Sequence, residues 1–106
     1  MALIDRLRQE LDRAGRSAQR ALDEGRLRLE LYRARQSVDR FAQRFGYAVY
    51  RARRANVDLA AEEYAAHMSN LAAAEAEVSR LETLMAQTAQ QRRDALRPDR
   101  PPPPAG

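Results

Sequence analysis

The stretch LRLELYRARQSVDRFAQRFGYAVYRA, residues 27–52, carries apolar or small side chains at 27, 31, 34, 38, 41, 45, 48 and 52. The steps alternate strictly between four and three residues, which on an α-helix keeps one narrow stripe facing one neighbour, as in the seam of a coiled coil. A polar break, Arg53-Arg54-Ala55-Asn56, follows. The alternation then resumes at Val57, Ala60, Tyr64, His67, Leu71, Ala74, Val78, Leu81 and Met85. A connection this short forces the two helices to lie antiparallel. The spacing therefore predicts an all-α fold, an antiparallel coiled-coil helical hairpin over 25–96 with its turn near 54–57. Asn56 or Asp58 is expected to cap the second helix.

In an antiparallel pair the numbers of facing residues add to a constant, and here the constant is 112. Leu27 is expected to meet Met85, Leu31 Leu81, Ala34 Val78, Val38 Ala74, Phe41 Leu71, Phe45 His67, Ala48 Tyr64, and Ala52 Ala60. Small residues mostly oppose larger ones, as interdigitation requires. The positions flanking the seam agree in sign: Arg28 falls near Glu82, Arg35 near Glu75 and Arg51 near Glu63. Exposed ion pairs contribute only about 0 to 1 kcal/mol each, so they select orientation more than they stabilise. One flank turns apolar near the tip, with Ala42 beside Met68 and Val49 beside Ala61.

Residues 1–24 read as an additional N-terminal amphipathic helix, with Leu3, Ile4, Leu7, Leu11, Ala14, Ala18, Ala21 and Leu22 on one face. Its stripe is out of phase with the seam that begins at Leu27. The shift falls around Asp23-Glu24-Gly25, so this segment either turns at Gly25 and folds back or runs straight on with a twisted seam. Beyond Leu96 the chain reads as a disordered Pro-rich tail over 97–106, because Pro98 disfavours helix at the residue before it and Pro101 to Pro104 favour extended backbone.

Composition narrows the function classes. The chain has 106 residues and no cysteine, which excludes disulfides and thiolate metal sites. Every one of its 19 basic residues is arginine, and the abundance of alanine beside them fits a GC-rich coding bias. Residues 1–54 hold 14 Arg against 7 acids and residues 55–106 hold 5 against 8, so +7 and −3 make the net +4. Two halves of opposite sign attract each other, which makes overall basicity weak evidence for nucleic acid. No apolar run approaches the roughly 18 residues of a membrane span, and the early charges at Asp5 and Arg6 do not suit a secretory signal. A cytoplasmic location is the expectation.

No phosphate-binding glycine loop and no nucleophile motif occurs, so the chain is expected not to be an enzyme and to use no catalytic residue, cofactor, metal or small-molecule substrate. His67, the single histidine, lies four residues after Glu63; its expected role is to pack in the seam, since a ligand set would need a second copy to complete it. Two features remain to act. An under-covered hairpin with an apolar flank predicts a non-catalytic structural or protein-interaction module that self-associates or docks on a larger assembly. Its expected partner-facing residues are Leu3, Ile4, Leu7, Leu11, Ala42, Val49, Ala61 and Met68. The alternative is nucleic-acid or ribosome binding through Arg51, Arg53 and Arg54 at the hairpin tip, beside Tyr47 and Tyr50. A third reading lays the N-terminal helix on a membrane surface, with Arg6, Arg8, Arg13, Arg16 and Arg20 at the headgroups.

The segments Met1-Ala2-Leu3-Ile4-Asp5-Arg6-Leu7, Gly25-Arg26-Leu27-Arg28-Leu29-Glu30-Leu31 and Phe45-Gly46-Tyr47-Ala48-Val49-Tyr50 together resemble the helical region of small bacterial cytoplasmic coiled-coil proteins, some of which carry a C-terminal zinc ribbon. The resemblance spans roughly residues 1–95 and implies a bacterial cytoplasmic hairpin, without implying an activity. The zinc does not carry over, because this chain has no cysteine to bind it.

Overall fold

A computed structural model describes residues 2–97. Within them the chain forms two helices, α1 (Ala2–Arg54) and α2 (Ala61–Ala95), packed against each other as a hairpin. The Pro-rich tail expected from residue 97 lies, beyond Arg97, outside the described residues.

At 1.5 Å per residue, the 53 residues of α1 span about 80 Å, and the molecule's long axis measures 82 Å. The 35 residues of α2 span only about 52 Å. α1 therefore outruns its partner by roughly five helical turns, all at its N-terminal end.

The separate N-terminal helix expected over 1–24 is not formed. α1 passes through Gly25 without a break, so the straight continuation holds rather than the fold-back. Glycine permits a turn but does not impose one; in mid-helix it costs about 1 kcal/mol relative to alanine. A break would leave the donors and acceptors of two new helix ends without intrahelical partners. The phase shift is accommodated by rotation instead. At 100° per residue, the stripe of Leu3, Ile4, Leu7 and Leu11 lies roughly 160° round α1 from that of Leu27, Leu31, Ala34 and Val38.

The seam itself is where the spacing placed it. Leu81 is 1% exposed, and it forms the centre of a cluster with Leu31 and Ala34, against which Val78 and Met85 pack. Ala74 is buried on α2, and Leu27, Val38, Phe41, Phe45, Ala48 and Ala52 are all partly covered. The Phe45 ring stacks on His67, centroid to centroid 5.3 Å at 16°.

At the tip the register departs from expectation. Asn56 has φ 58°, the left-handed conformation that ends helices. Its N–H donates to the Arg53 carbonyl at 3.0 Å, and the Val57 N–H donates to the Ala52 carbonyl at 3.0 Å. Asn56 thus closes α1 rather than capping α2. Asp58 does not cap α2 either, because its carboxylate accepts from Arg53 at 3.2 Å. The residue at the N-cap of α2 is Ala60, with no side-chain cap, and the acidic Glu62 and Glu63 in the first turn suit the positive end of the helix dipole. Because residues 57–60 are not helical, Val57 and Ala60 stay exposed and Leu59 lines the tip groove with Ala48 and Ala52, while Tyr64 on α2 is half-exposed against the Phe45 ring.

The flanking ion pairs also differ. Arg35 reaches Glu82 at 3.8 Å, one heptad along from the expected Glu75, and no ion pair joins Arg28 to Glu82. Glu63 stands 3.9 Å from His67 and lines the same groove as Arg51 without an ion pair to it. Near the end of α2, Arg92 pairs with Glu24. Long side chains at exposed positions reach a turn either way, so helix numbering fixes their neighbourhood but not their partner.

Candidate functional site

The surfaces available for function follow from the difference in helix length. α2 covers α1 from about Glu24 to the tip, and every described residue from Ala2 to Asp23 is exposed. The four apolar residues expected at an interface are open to solvent: Leu3 is 72% exposed, Leu11 70%, Leu7 51% and Ile4 50%. They recur every three or four residues on one face of α1, continued by Ala14, Ala18 and Leu22. A helix in water with this face uncovered gains nothing from its apolar side chains. Most helical stability in proteins comes from packing such a face.

Reading the spacing alone missed the rest of this surface. Leu29 and Tyr32 are also exposed, on the outer face of α1 away from α2. The signal was present, since Leu29 lies seven residues after Leu22 and Tyr32 three after Leu29, which continues the same stripe up the back of the hairpin.

The second expected patch lies near the tip. Ala42, Val49, Ala61 and Met68 are exposed, Val49 at 37% and Met68 at 45%, less than the residues of the projecting stripe. They are divided between the two helices. The expected interface residues therefore fall in two places, the projecting part of α1 and the part of the hairpin nearer its tip.

The basic tip is more engaged than the sequence suggested. Arg53 bonds Asp58, and Arg54 donates to the Tyr50 hydroxyl at 2.9 Å, so neither is free. Arg51 lies over the Tyr47 ring, 4.6 Å from its centroid, with Tyr47 and Tyr50 themselves 6.1 Å apart. An open groove of about 730 Å³ runs beside this array, past Arg44, Leu59, Glu63 and His67. Among the described residues no three His, Asp or Glu side chains stand together as a metal-binding group. Among the same residues, no helix is long and apolar enough to cross a membrane.

A second groove, about 440 Å³, opens where α2 ends. It is lined by Glu24, Leu27, Met85 and Arg92 among others, and so begins where the projecting part of α1 leaves the hairpin. No protein family, curated protein or solved structure matches the chain.

Proposed function

We propose that this chain is a non-catalytic interaction module whose working surface is the exposed apolar stripe on the N-terminal part of α1, with the hairpin serving as the rigid element that carries it. The observation that supports this reading most is the mismatch in helix length. About twenty residues of α1 hold Leu3, Ile4, Leu7 and Leu11 in a single face with nothing from the described residues of the same chain against them. An exposed contiguous apolar face of this kind marks an association site.

The test is affinity capture of the tagged full chain from the cells that make it, in parallel with a Leu3→Glu/Leu7→Glu/Leu11→Glu variant. The reading expects the parent to bring down protein, either untagged copies of itself or another chain, and the variant to lose it. A parent that comes down alone would overturn the reading.

The tip supports a second reading, contact with a nucleic-acid backbone. Arg51 stacked over the exposed Tyr47 ring offers a cation and an aromatic face side by side, which suits a phosphate and an unpaired base. Such binding should fall steeply with salt and be lost in Arg51→Ala.

A further inference from the structure

The stripe on the projecting part of α1 has a partner that fits it: the same stripe on a second copy. We propose that the chain forms an antiparallel homodimer through the N-terminal parts of two α1 helices, in a register where facing residues add to 25. This rests on the interaction reading above and names its occupant.

Ile4, Leu7, Leu11, Ala14, Ala18 and Ala21 alternate by three and four. Their large members all come first and their small members last. Laid antiparallel on itself at the sum of 25, the segment sets Ile4 against Ala21, Leu7 against Ala18 and Leu11 against Ala14, and each pairing occurs twice by symmetry. Every layer is then large on small, the same rule that packs the hairpin's own seam. A parallel dimer would instead stack Ala14, Ala18 and Ala21 each on itself and leave half the layers thin.

Charge selects among the antiparallel registers. At 25 the flanking positions bring Arg8 beside Gly15 of the second copy and Glu10 beside Ser17, so no like charges meet; Gly15 has open space around it for the arginine stem. One heptad closer, at a sum of 18, Arg8 meets its own copy and Glu10 meets its own copy. One heptad further, at 32, Glu10 meets Glu24. A still longer overlap that brings Leu7 against Leu29 sets Arg8 against Arg26. Like charges facing across a coiled coil are destabilising, and the sum of 25 is the one of these four registers without them.

The fold leaves this partner room. The stripe lies well away from the side of α1 that α2 occupies, so a second helix can approach without displacing the hairpin. In the same register Leu3 of the second copy falls beside Glu24, at the groove that opens where α2 ends. The face joined is about eighteen residues long, which places the interface near the lower limit for a specific contact and predicts a reversible dimer.

The decisive experiment uses the full chain, which has no native cysteine to interfere. Two single-cysteine chains, Leu7→Cys and Ala18→Cys, are oxidised separately and as an equal mixture, and the parent is followed by sedimentation equilibrium and small-angle scattering. The proposal expects the mixed disulfide to form much faster than either homodisulfide. It also expects a dimer twice the 12.1 kDa chain mass, and a longest dimension near 130 Å instead of 82 Å, from two rods overlapped by about 24 residues. Leu7→Glu/Leu11→Glu, at positions the hairpin does not use, should weaken association by about a hundredfold or more. A monomer at every concentration overturns the proposal, as does rapid Leu7→Cys homodisulfide, which marks a parallel pair. Neither result by itself removes the interaction reading, which falls only if the parent captures no protein from cells.

Discussion

The Phe45 ring stacks on His67, 5.3 Å between centroids at 16°, while the Tyr64 ring stands perpendicular to Phe45 at 5.4 Å and 85°. One phenylalanine on α1 thus holds two rings of α2 and locks the register near the tip. Phe45→Ala is expected to cost about 2 to 3 kcal/mol, less than for a fully buried site because Phe45 is only partly covered. A double-mutant cycle with His67→Ala should return a coupling near 0.5 to 1.5 kcal/mol. Strictly additive losses in thermal unfolding would show that the stacking carries no energy of its own.

Leu81 is the most deeply buried large side chain among the described residues, at 1% exposure, whereas Leu84 on the same helix is 36% exposed. Leu81→Ala should destabilise by about 2 to 5 kcal/mol, whereas Leu84→Ala should stay within about 1 kcal/mol. Chemical denaturation of the two variants would refute the register if their order were reversed.

Asn56 ends α1 at φ 58°. A β-carbon without the polar end of asparagine is penalised there by about 1 kcal/mol, and glycine is not. Asn56→Ala should lower the melting temperature, and Asn56→Gly should hold or raise it. Equal melting temperatures for the two variants would mean that the turn does not depend on the left-handed residue.

The Glu77 carboxyl is held below its ordinary value of 4.5, first by hydrogen bonds from Arg80 and further by the arginine charge, against an opposing desolvation effect. A carboxyl lowered in the folded state adds stability that is fully present above its unfolded value and is lost as pH falls through the folded one. The parent should therefore lose melting temperature below about pH 4.5 more steeply than Glu77→Gln. Superimposable pH profiles for the two proteins would remove Glu77 from the acid response.

Much of this fold can be read from spacing alone, because which side chains share a helical stripe is a local property of the backbone. Leu31 with Leu81, and Phe45 with His67, follow from that property and from the short connection. What escaped has physical causes. Asn suits both the start of one helix and the left-handed end of another, so Asn56 could not be assigned from its identity. Among the four non-helical residues 57–60, Val57 and Ala60 stand at seam spacing, which imitated a helix that begins only at Ala61. At Gly25, a glycine and a phase shift coincided and looked like a turn, whereas helix continuity outweighed both. The candidate surface on Leu3, Ile4, Leu7 and Leu11 was legible as an amphipathic face. That it lies bare followed only from the length of α2, and its extension through Leu29 and Tyr32 was hidden by the stronger seam beside it.

α1 runs unbroken through Gly25 and carries its apolar stripe past the end of α2, and the proposed dimer interface exists only if it does. Spin labels at Arg13→Cys and Arg33→Cys, both exposed and twenty residues apart, test this directly when the labelled chain is diluted with unlabelled protein. A continuous helix predicts a single distance distribution centred near 30 Å. A distribution centred below about 20 Å would mean that the segment folds back at Gly25 and covers its own apolar face, and would contradict the account.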